Sequence, residues 1–311
     1  MFENHTIAVV IPSYKVSKYL KDVVQSIPDF VDFIIVVDDR CPEKSYTVVD
    51  ESEKIFIVRH ESNLGVGGAV VSGYKKAINL NADYVVKIDG DGQMDANYMS
   101  ELIEPLVIED ADYTKGNRFL DFSALRKMPK VRLFGNSALS FMVKASSGYW
   151  NIMDPTNGYT AISRKALNRL NLGGLAKRYF FESDMLINLN IQGCVVKDIS
   201  IPARYSDESS SLSVVKTLFE FPYKLLKGLI KRIFYKYFLY DFNMASVYML
   251  FGIPMLMFGS VFGSYRWYMA VEYGVNNPTG TIMLSVLSII LGIQFLLQAI
   301  SIDIVNIPKN K

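Results

Sequence analysis

Two long, uncharged, apolar runs near the C-terminus constrain the fold of this chain more than any other feature of its sequence. No charged residue occurs from 244 to 265 or from 274 to 302. Each run reaches the roughly 20 residues that an α-helix needs to cross a bilayer. A soluble protein buries two such helices only inside a large shell, which the remaining sequence does not offer. We therefore predict two transmembrane helices.

Basic residues flank these two runs. Just before the first run, large apolar residues are interspersed with basic ones, and Glu220 is the only acid among them: Lys216, Lys224, Lys227, Lys231, Arg232 and Lys236. This composition is typical of an amphipathic helix on a membrane surface, although an amphipathic core helix is the alternative. Lys309 and Lys311 follow the second run, whereas the connection 266–273 carries one Arg and one Glu. The positive-inside tendency therefore predicts that both ends lie in the cytoplasm.

The remaining composition excludes several classes of protein. The 33 basic residues nearly balance the 31 acidic ones, so the overall charge indicates no nucleic-acid partner. The N-terminus leads directly into a strand pattern without a basic segment, and we expect no signal peptide. Cys41 and Cys194 are expected to be free thiols, as in cytosolic proteins. His5 and His60 lie far apart in sequence, which disfavours a metal site built from histidines.

Buried-strand patterns alternate with helical patterns over the first ninety residues. Short β-branched runs at 6–11, 33–37, 55–58 and 85–88 predict strands, and 67–80 predicts one of the helices between them. This alternation predicts parallel βαβ units in an open α/β sheet. Ligands of such sheets bind at the carboxyl ends of the strands.

Acidic residues follow two of these predicted strands. Asp38 and Asp39 follow the second strand, and Asp89 and Asp91 follow the fourth. Asp89 and Asp91 are close enough for one divalent cation to engage one or both carboxylates, while phosphate oxygens and water complete its coordination. The pair therefore indicates a metal-diphosphate site. A turn held by the aspartate side chains is the alternative for this Asp-Gly-Asp sequence.

Several motifs, taken in order, resemble a known family. Val10-Ile11-Pro12-Ser13-Tyr14, Val36-Val37-Asp38-Asp39, Asn63-Leu64-Gly65-Val66-Gly67-Gly68-Ala69 and Asp89-Gly90-Asp91 look like the landmarks of family 2 glycosyltransferases with a GT-A fold. The resemblance is narrowed by the two terminal runs and by three later features: Asp154-Pro155-Thr156-Asn157-Gly158-Tyr159, Arg164 and Phe181-Glu182. Together they are similar to polyprenyl-phosphate glycosyltransferases of the dolichol-phosphate-mannose synthase type.

The resemblance implies a fold and a division of the chain. The fold is an α/β GT-A fold, which is a Rossmann-like mixed sheet with flanking helices, followed here by interfacial amphipathic helices and two C-terminal transmembrane helices. The implied domains are a cytoplasmic catalytic domain at 1–211, interfacial helices at 212–241 and a two-helix membrane anchor at 242–311.

Two positions depart from the family pattern. Arg40-Cys41-Pro42 follows the paired acids where the family commonly has Gly-Ser, which leaves the contact of this loop with a nucleotide open. Processive polysaccharide synthases usually carry Gln-x-x-Arg-Trp. Here Arg266-Trp267 lies between the two apolar runs, and Gly263 occupies the position of the Gln. The second departure argues against polymerisation of a glycan chain.

The resemblance assigns the nucleotide of a sugar donor to the first strand ends. Pro12 and Tyr14 would flank the base, and Asp38 or Asp39 would accept hydrogen bonds from uracil, guanine or ribose hydroxyls. A strand-end turn with a solvated acid is the alternative for the two aspartates.

The glycine-rich loop and the later acidic pair would complete the donor site. Gly65 and Gly68 permit a close backbone approach, although their spacing is not that of a dinucleotide-binding loop and a flexible helix start is the alternative. Asp91, with Asp89, would hold Mg²⁺ or Mn²⁺ against the diphosphate and neutralise the charge that grows on the leaving group. Gln93 is kept from the family motif.

The acceptor would be a lipid monophosphate, which is its own nucleophile and needs no strong general base. Arg118, Arg132 and Asn136 stand where the resemblance places the lipid-phosphate pocket. A planar guanidinium binds phosphate bidentately, although a single Arg is also a common surface charge. Two further roles are implied, each against a structural alternative: closure over the diphosphate by Arg204, and orientation of sugar hydroxyls by Asp154 and Glu182.

These implications define an expected function. The chain would be a membrane-bound, inverting glycosyltransferase that moves a single sugar from a UDP- or GDP-sugar to undecaprenyl or another polyprenyl phosphate at the cytoplasmic face of the plasma membrane, for cell-envelope glycans. A homo-oligomer, such as a tetramer, is implied by the resemblance alone. One alternative is transfer to a sugar on a lipid diphosphate or to a glycan, whose hydroxyl needs a base. The other is a non-catalytic partner protein that binds nucleotide sugar.

Overall fold

The computed structural model describes residues 2–118, 130–202 and 214–309, and it describes no side chains at 130–136 and 214–219. The chain forms two compact units, Met1–Arg232 with Pro308–Lys311 and Ile233–Ile307. The first unit contains the strands, whereas the second is helical. Both cysteines are free, and both are buried.

A seven-stranded mixed sheet forms the centre of the first unit in the described part of the chain. Its strands are β1 Ile7–Ser13, β2 Phe33–Asp38, β3 Ile55–Arg59, β4 Tyr84–Lys87, β5 Tyr113–Asn117, β6 Thr160–Ser163 and β7 Val196–Ser200. Their order across the sheet is β3-β2-β1-β4-β6-β5-β7. The strand β6 pairs antiparallel with β4 and β5, while the other neighbours pair in parallel.

Helices flank the sheet and continue into the segment before the second unit. They are α1 Leu20–Ser26, α2 Val66–Asn79, α3 Met99–Val107, α4 Lys130–Ser147, α5 Arg164–Arg169, α6 Phe181–Ile191 and α7 Val214–Ile233. The central strand β1 is buried on both faces because helices cover both. Ile7, Val9 and Ile11 pack in the cluster that contains residues of α1 and α3. On the other face Val10 lies against α2, at Gly73.

This topology brings the ends of distant segments to one edge of the sheet. Because β4 and β5 both run antiparallel to β6, they point in the same direction as β1 and β2. The carboxyl ends of all these strands therefore lie at one edge, and the segment that leads into Thr160 reaches the same edge. Lys87 and Glu182, whose side chains meet there, are 95 positions apart in the sequence.

The helix α7 has an inner face that packs within the first unit and an outer face that does not. Leu225 is buried, Gly228 lies against Ile187, and the Arg232 guanidinium donates to the backbone oxygens of Ser146 and Ala145 at 2.9 and 3.0 Å. Large apolar side chains on the opposite face are exposed: Tyr223, Leu226 and Ile230. Tyr223, Leu226 and Ile230 are spaced three and four positions apart, so they lie on one side of the helix and form a second apolar face that is exposed.

The second unit is a helical hairpin preceded by a π-helical segment, Phe234–Tyr240. Its helices α8 Met244–Tyr273 and α9 Thr279–Val305 are long and apolar enough to cross a membrane. In the most apolar 18-residue segment of each helix, only 28% and 17% of the residues are buried, so most of both apolar surfaces is exposed. Within the unit, the Tyr237 hydroxyl donates to Asp303 Oδ1 at 2.6 Å. The predicted fold class, a mixed α/β sheet followed by two apolar helices, is confirmed.

Candidate functional site

A cavity of about 640 Å³ opens at the edge of the sheet where the strands end. Its lining in the described part of the chain comes from the ends of β1, β2 and β4, from the start of α2 and from the segments around β6 and α6. The charged residues of this lining are Asp39, Lys87, Asp89, Asp91, Arg178 and Glu182. The volume suits a small-molecule site.

Asp39 fastens the glycine-rich loop to the end of β2. Its carboxylate accepts hydrogen bonds from the backbone N–H groups of Leu64 and Gly65, both at 2.7 Å. His60 Nδ1 lies 2.8 Å from the same carboxylate, and His60 Nε2 lies 2.8 Å from the Ser72 hydroxyl. The Asp39 carboxylate thus contacts two backbone N–H groups and one imidazole, and these contacts hold the glycine-rich loop at the cavity.

The glycines of this loop allow a second segment to lie directly on it. Gly65 has φ +84°, and a Cβ there would lie 2.6 Å from the Lys177 carbonyl oxygen. A Cβ at Gly67 would lie 2.3 Å from the Ala176 oxygen, and the Gly68 N–H donates to Lys177 at 3.0 Å. The glycines thus allow close approach of the chain around 176–178, while the predicted approach of a ligand to this loop stays a prediction.

Lys87 is a buried cation beneath the cavity. Its Nζ lies 2.8 Å from Asp89 Oδ1 and 3.4 Å from Glu182 Oε1. Burial alone would lower the pKa of Lys87, but these two carboxylates outweigh burial and raise it. A Cβ at Gly158 would lie 2.4 Å from Nζ, so only glycine leaves room for this arrangement. Lys87 therefore stays charged and fixes both acids at the cavity wall.

Asp91 lies beside this buried group, at the cavity rather than beneath it. The Gln93 N–H donates to Asp91 Oδ1 at 3.0 Å, which orients the carboxylate. Among the described residues, no group of three or more His, Cys, Asp or Glu side chains is arranged to hold a metal ion. Two carboxylates at a cavity wall still fit a hard cation such as Mg²⁺ or Mn²⁺, provided that ligand phosphates and water supply the other oxygens.

Arg118 and Asp154 form an ion pair at the end of β5. Arg118 Nε donates to Asp154 Oδ2 at 2.7 Å and Arg118 Nη2 donates to Asp154 Oδ1 at 3.1 Å. The Asp154 side chain is fully buried, whereas 41% of the Arg118 side chain is exposed. Asp154 therefore holds the guanidinium in a fixed fork at the surface.

Lys115 is a second buried cation, on β5, which β6 separates from the strand of Lys87. Its Nζ donates to the backbone oxygen of Asn157. Burial lowers the pKa of Lys115 to about 8. Its neighbour Asp198 has a pKa raised to about 6 by burial, although it accepts hydrogen bonds from Met153 and Asn117.

The structure brings together about half of the site residues that the sequence predicts. The following line the cavity: Pro12, Tyr14, Asp39, Gly65, Asp89, Asp91 and Glu182. Others lie near the strand ends but not in its lining: Asp38, Gly68, Gln93, Arg118 and Asp154. Arg132 and Asn136 lie on α4, whose Leu139 lines the cavity, but their side chains are outside the description. Arg204 lies outside the described residues. The roles assigned to all these residues stay predictions.

Sequence reasoning missed Lys87, His60, Arg178 and Tyr179. Lys87 had a usable signal, because a charged residue inside the apolar run Val85–Ile88 must find a buried partner. The local sequence around His60 and Arg178 gave no such signal, since their neighbours in the fold are distant in sequence.

Comparisons with known proteins agree with this geometry. Residues 8–170 match the profile of glycosyl transferase family 2. A UDP-N-acetylglucosamine–dolichyl-phosphate N-acetylglucosaminyltransferase from Methanococcus voltae is 31% identical over 238 residues, which are 71% of this chain and 94% of that protein. An undecaprenyl-phosphate mannosyltransferase from Micrococcus luteus is 25% identical over 186 residues, 58% of this chain and 75% of that protein.

A solved structure shares the fold of the first unit. Glucosyl-3-phosphoglycerate synthase from Mycobacterium tuberculosis, in complex with Mn²⁺, UDP and glucosyl-3-phosphoglycerate, superimposes with a TM-score of 0.55. The match covers 74% of this chain and 80% of that one at 19% identity, and it therefore speaks for the GT-A fold alone. The family profile, the relatives and the fold lead to one conclusion: the chain is a glycosyltransferase that belongs to family 2.

Proposed function

We propose that the protein transfers a single sugar from a UDP- or GDP-sugar to a polyprenyl phosphate at a membrane surface. The observation that carries this proposal is the cavity at the strand ends, which is lined by both the glycine-rich loop and the acidic pair Asp89 and Asp91. The similar proteins from Methanococcus voltae and Micrococcus luteus support the acceptor class, since their names specify dolichyl and undecaprenyl phosphate.

The donor would lie in the cavity with its nucleotide towards Pro12, Tyr14 and Asp39. Its diphosphate would face Asp91 and its sugar would face Glu182, which Lys87 keeps in place. Asp91, with the Asp89 oxygen that Lys87 leaves, would hold Mg²⁺ or Mn²⁺. When bound, this ion supplies neutralisation of the charge that develops on the departing nucleoside diphosphate. Because Asp89 Oδ1 is paired with Lys87, we assign the larger share of metal binding to Asp91.

The acceptor phosphate would be received by Arg118, which Asp154 already orients, and by Arg132 and Asn136 on α4. A phosphate oxygen attacks the anomeric carbon as the bond to the nucleoside diphosphate breaks, so one C–O bond forms, one breaks and the configuration inverts. The attacking oxygen is already ionised near neutral pH, and therefore no side chain has to remove a proton.

The membrane side of the proposal rests on α7 and the second unit. The exposed stripe Tyr223, Leu226 and Ile230, beside Lys227 and Lys231, fits a lipid headgroup region. The helices α8 and α9 would span the bilayer with both ends cytoplasmic. The domain limits 1–211, 212–241 and 242–311, the plasma-membrane location and a homo-oligomer belong to the proposal as well. The compact first unit itself extends to Arg232.

The test is product formation by the purified full chain in vesicles that contain undecaprenyl phosphate. UDP-glucose, UDP-N-acetylglucosamine and GDP-mannose are supplied one at a time with Mn²⁺ or Mg²⁺, and lipids are analysed by mass spectrometry. We expect a monophosphate-linked monosaccharide with one of these donors. Absence of lipid-linked product from every donor would contradict the proposal, and product only with a lipid-diphosphate-linked sugar as acceptor would favour the alternative acceptor class.

A further inference from the structure

Arg178 is an exposed cation in the wall of the cavity that no sequence motif indicated. It precedes α6 and lines the same space as Asp91 and Gly65. Among the described residues its guanidinium has no hydrogen-bond or ion-pair partner, whereas Lys87, the other cation of the described lining, is held by two carboxylates. A guanidinium that lines a cavity without a protein partner is available to a ligand.

The backbone at Arg178 is fixed although its side chain is exposed. The Gly68 N–H binds the oxygen of the preceding residue, Lys177. Gly65 lies so close that a Cβ there would be 2.8 Å from Arg178 Cγ. Phe181, three residues later, is buried at the start of α6. Three contacts with the glycine-rich loop and the core thus set the position from which the guanidinium reaches into the cavity.

The charge balance of the cavity indicates what Arg178 meets. All four acids in the described lining have protein donors or cations at their carboxylates: Asp39, Asp89, Asp91 and Glu182. None of them is paired with Arg178. An anionic ligand would need cationic reception beside the glycine-rich loop, and in the described lining Arg178, which lies against Gly65, supplies that charge.

We propose that Arg178 binds a phosphate oxygen of the nucleoside diphosphate and is a donor-binding residue of the cavity. This inference rests on the proposed function, because it requires a nucleotide-sugar donor. The planar fork of the guanidinium suits a phosphate, and a charge-assisted pair of this kind contributes about a tenfold or larger change in affinity. Arg178 and the metal site at Asp91 would then grip the diphosphate from two sides.

The experiment measures the binding of UDP and GDP to the full chain in detergent by isothermal titration calorimetry with Mn²⁺. Arg178→Gln removes the charge, and Arg178→Lys keeps it without the fork. Lys177→Gln is the matched control, because Lys177 is an exposed neighbouring cation that does not line the cavity. Steady-state transfer assays on the same variants separate the KM of the donor from that of the acceptor.

We expect Arg178→Gln to weaken binding of the preferred nucleoside diphosphate and to raise the donor KM by about tenfold or more. Arg178→Lys should lie between Gln and wild type, while Lys177→Gln should bind as wild type does. Equal affinities of Arg178→Gln and wild type would overturn the inference, as would an equal loss in Lys177→Gln or a change confined to the acceptor KM. If the wild type binds neither UDP nor GDP, the proposed function fails together with it.

Discussion

Lys87 and Lys115 occupy matching places in the sheet and have opposite surroundings. Each pairs across the sheet with Thr160, from opposite sides of β6, and each side chain is almost completely buried. Lys87 contacts two carboxylates, while the Lys115 Nζ donates to a backbone oxygen. The pKa of Lys87 is raised and that of Lys115 is lowered to about 8.

The difference shows what a buried charge needs. Desolvation lowers the pKa of both amines, and carboxylates raise it at both, but only Lys87 has two carboxylates within ion-pair distance, and there they outweigh desolvation. Beside Asp89 and Glu182 the protein keeps a charged ammonium group, Lys87. Near Arg118 and Asp154 it holds an amine, Lys115, that loses its proton at mildly alkaline pH.

The largest effect is expected from loss of the Lys87 charge. Lys87→Met leaves Asp89 and Glu182 without the cation that they share, which costs about 3–5 kcal/mol in the free energy of unfolding. Lys115→Met removes one neutral-partner hydrogen bond, and its cost should be about 1 kcal/mol. Thermal unfolding of the full chain in detergent at pH 7 compares the two variants. The double variant Lys87→Met/Glu182→Gln should recover part of the loss, and equal destabilisation by the two Met variants would break the comparison.

A smaller effect follows from the lowered pKa of Lys115. Between about pH 8 and its ordinary value of 10.5 the unfolded chain still binds the proton that the folded chain has lost. Stability therefore rises with pH through this group across that window. Relative to Lys115→Met, the wild type should gain at most about 3 kcal/mol from pH 8 to pH 10.5. Urea unfolding at both pH values measures the gain, and a constant difference between the two proteins would show that Lys115 is charged throughout.

The smallest of these effects concerns the ion pair beside Lys115. Asp154→Asn keeps the side-chain volume but removes the carboxylate that orients Arg118. We expect the KM for polyprenyl phosphate to rise about tenfold, because about 1.4 kcal/mol of charge-assisted binding is lost, while the donor KM is unchanged. Arg118→Lys is the companion variant and should give the same pattern. A change in the donor KM instead would place Asp154 on the donor side of the edge.

Local sequence patterns were enough to predict most of the fold and the chemistry at the strand ends. The apolar runs around Val9, Val36 and Val86 became buried parallel strands because β-branched repeats bounded by turn residues specify them locally. The location of the acids that follow those strands could be predicted from the rule that ligands of open α/β sheets bind at the carboxyl ends of strands. Asp89 and Asp91 therefore lie at the cavity as expected.

Contacts between distant segments could not be predicted. Asp154 and Arg118 were both assigned to the site, yet their pairing depends on β6 running antiparallel beside β5. Gly65 and Gly68 were expected to allow a ligand to approach, and the structure adds that the backbone around 176–178 lies against both of them. In each case the partner is more than 30 residues away, and no local pattern encodes such a distance.

The most direct test of the central claim is sugar transfer by Asp91→Ala in vesicles that contain polyprenyl phosphate, Mn²⁺ and the donor that the wild type uses. If the cavity performs metal-assisted transfer with Asp91 as its principal ligand, turnover should fall by about 100-fold or more while UDP or GDP still binds without metal. Turnover by Asp91→Ala at the wild-type rate would contradict the account.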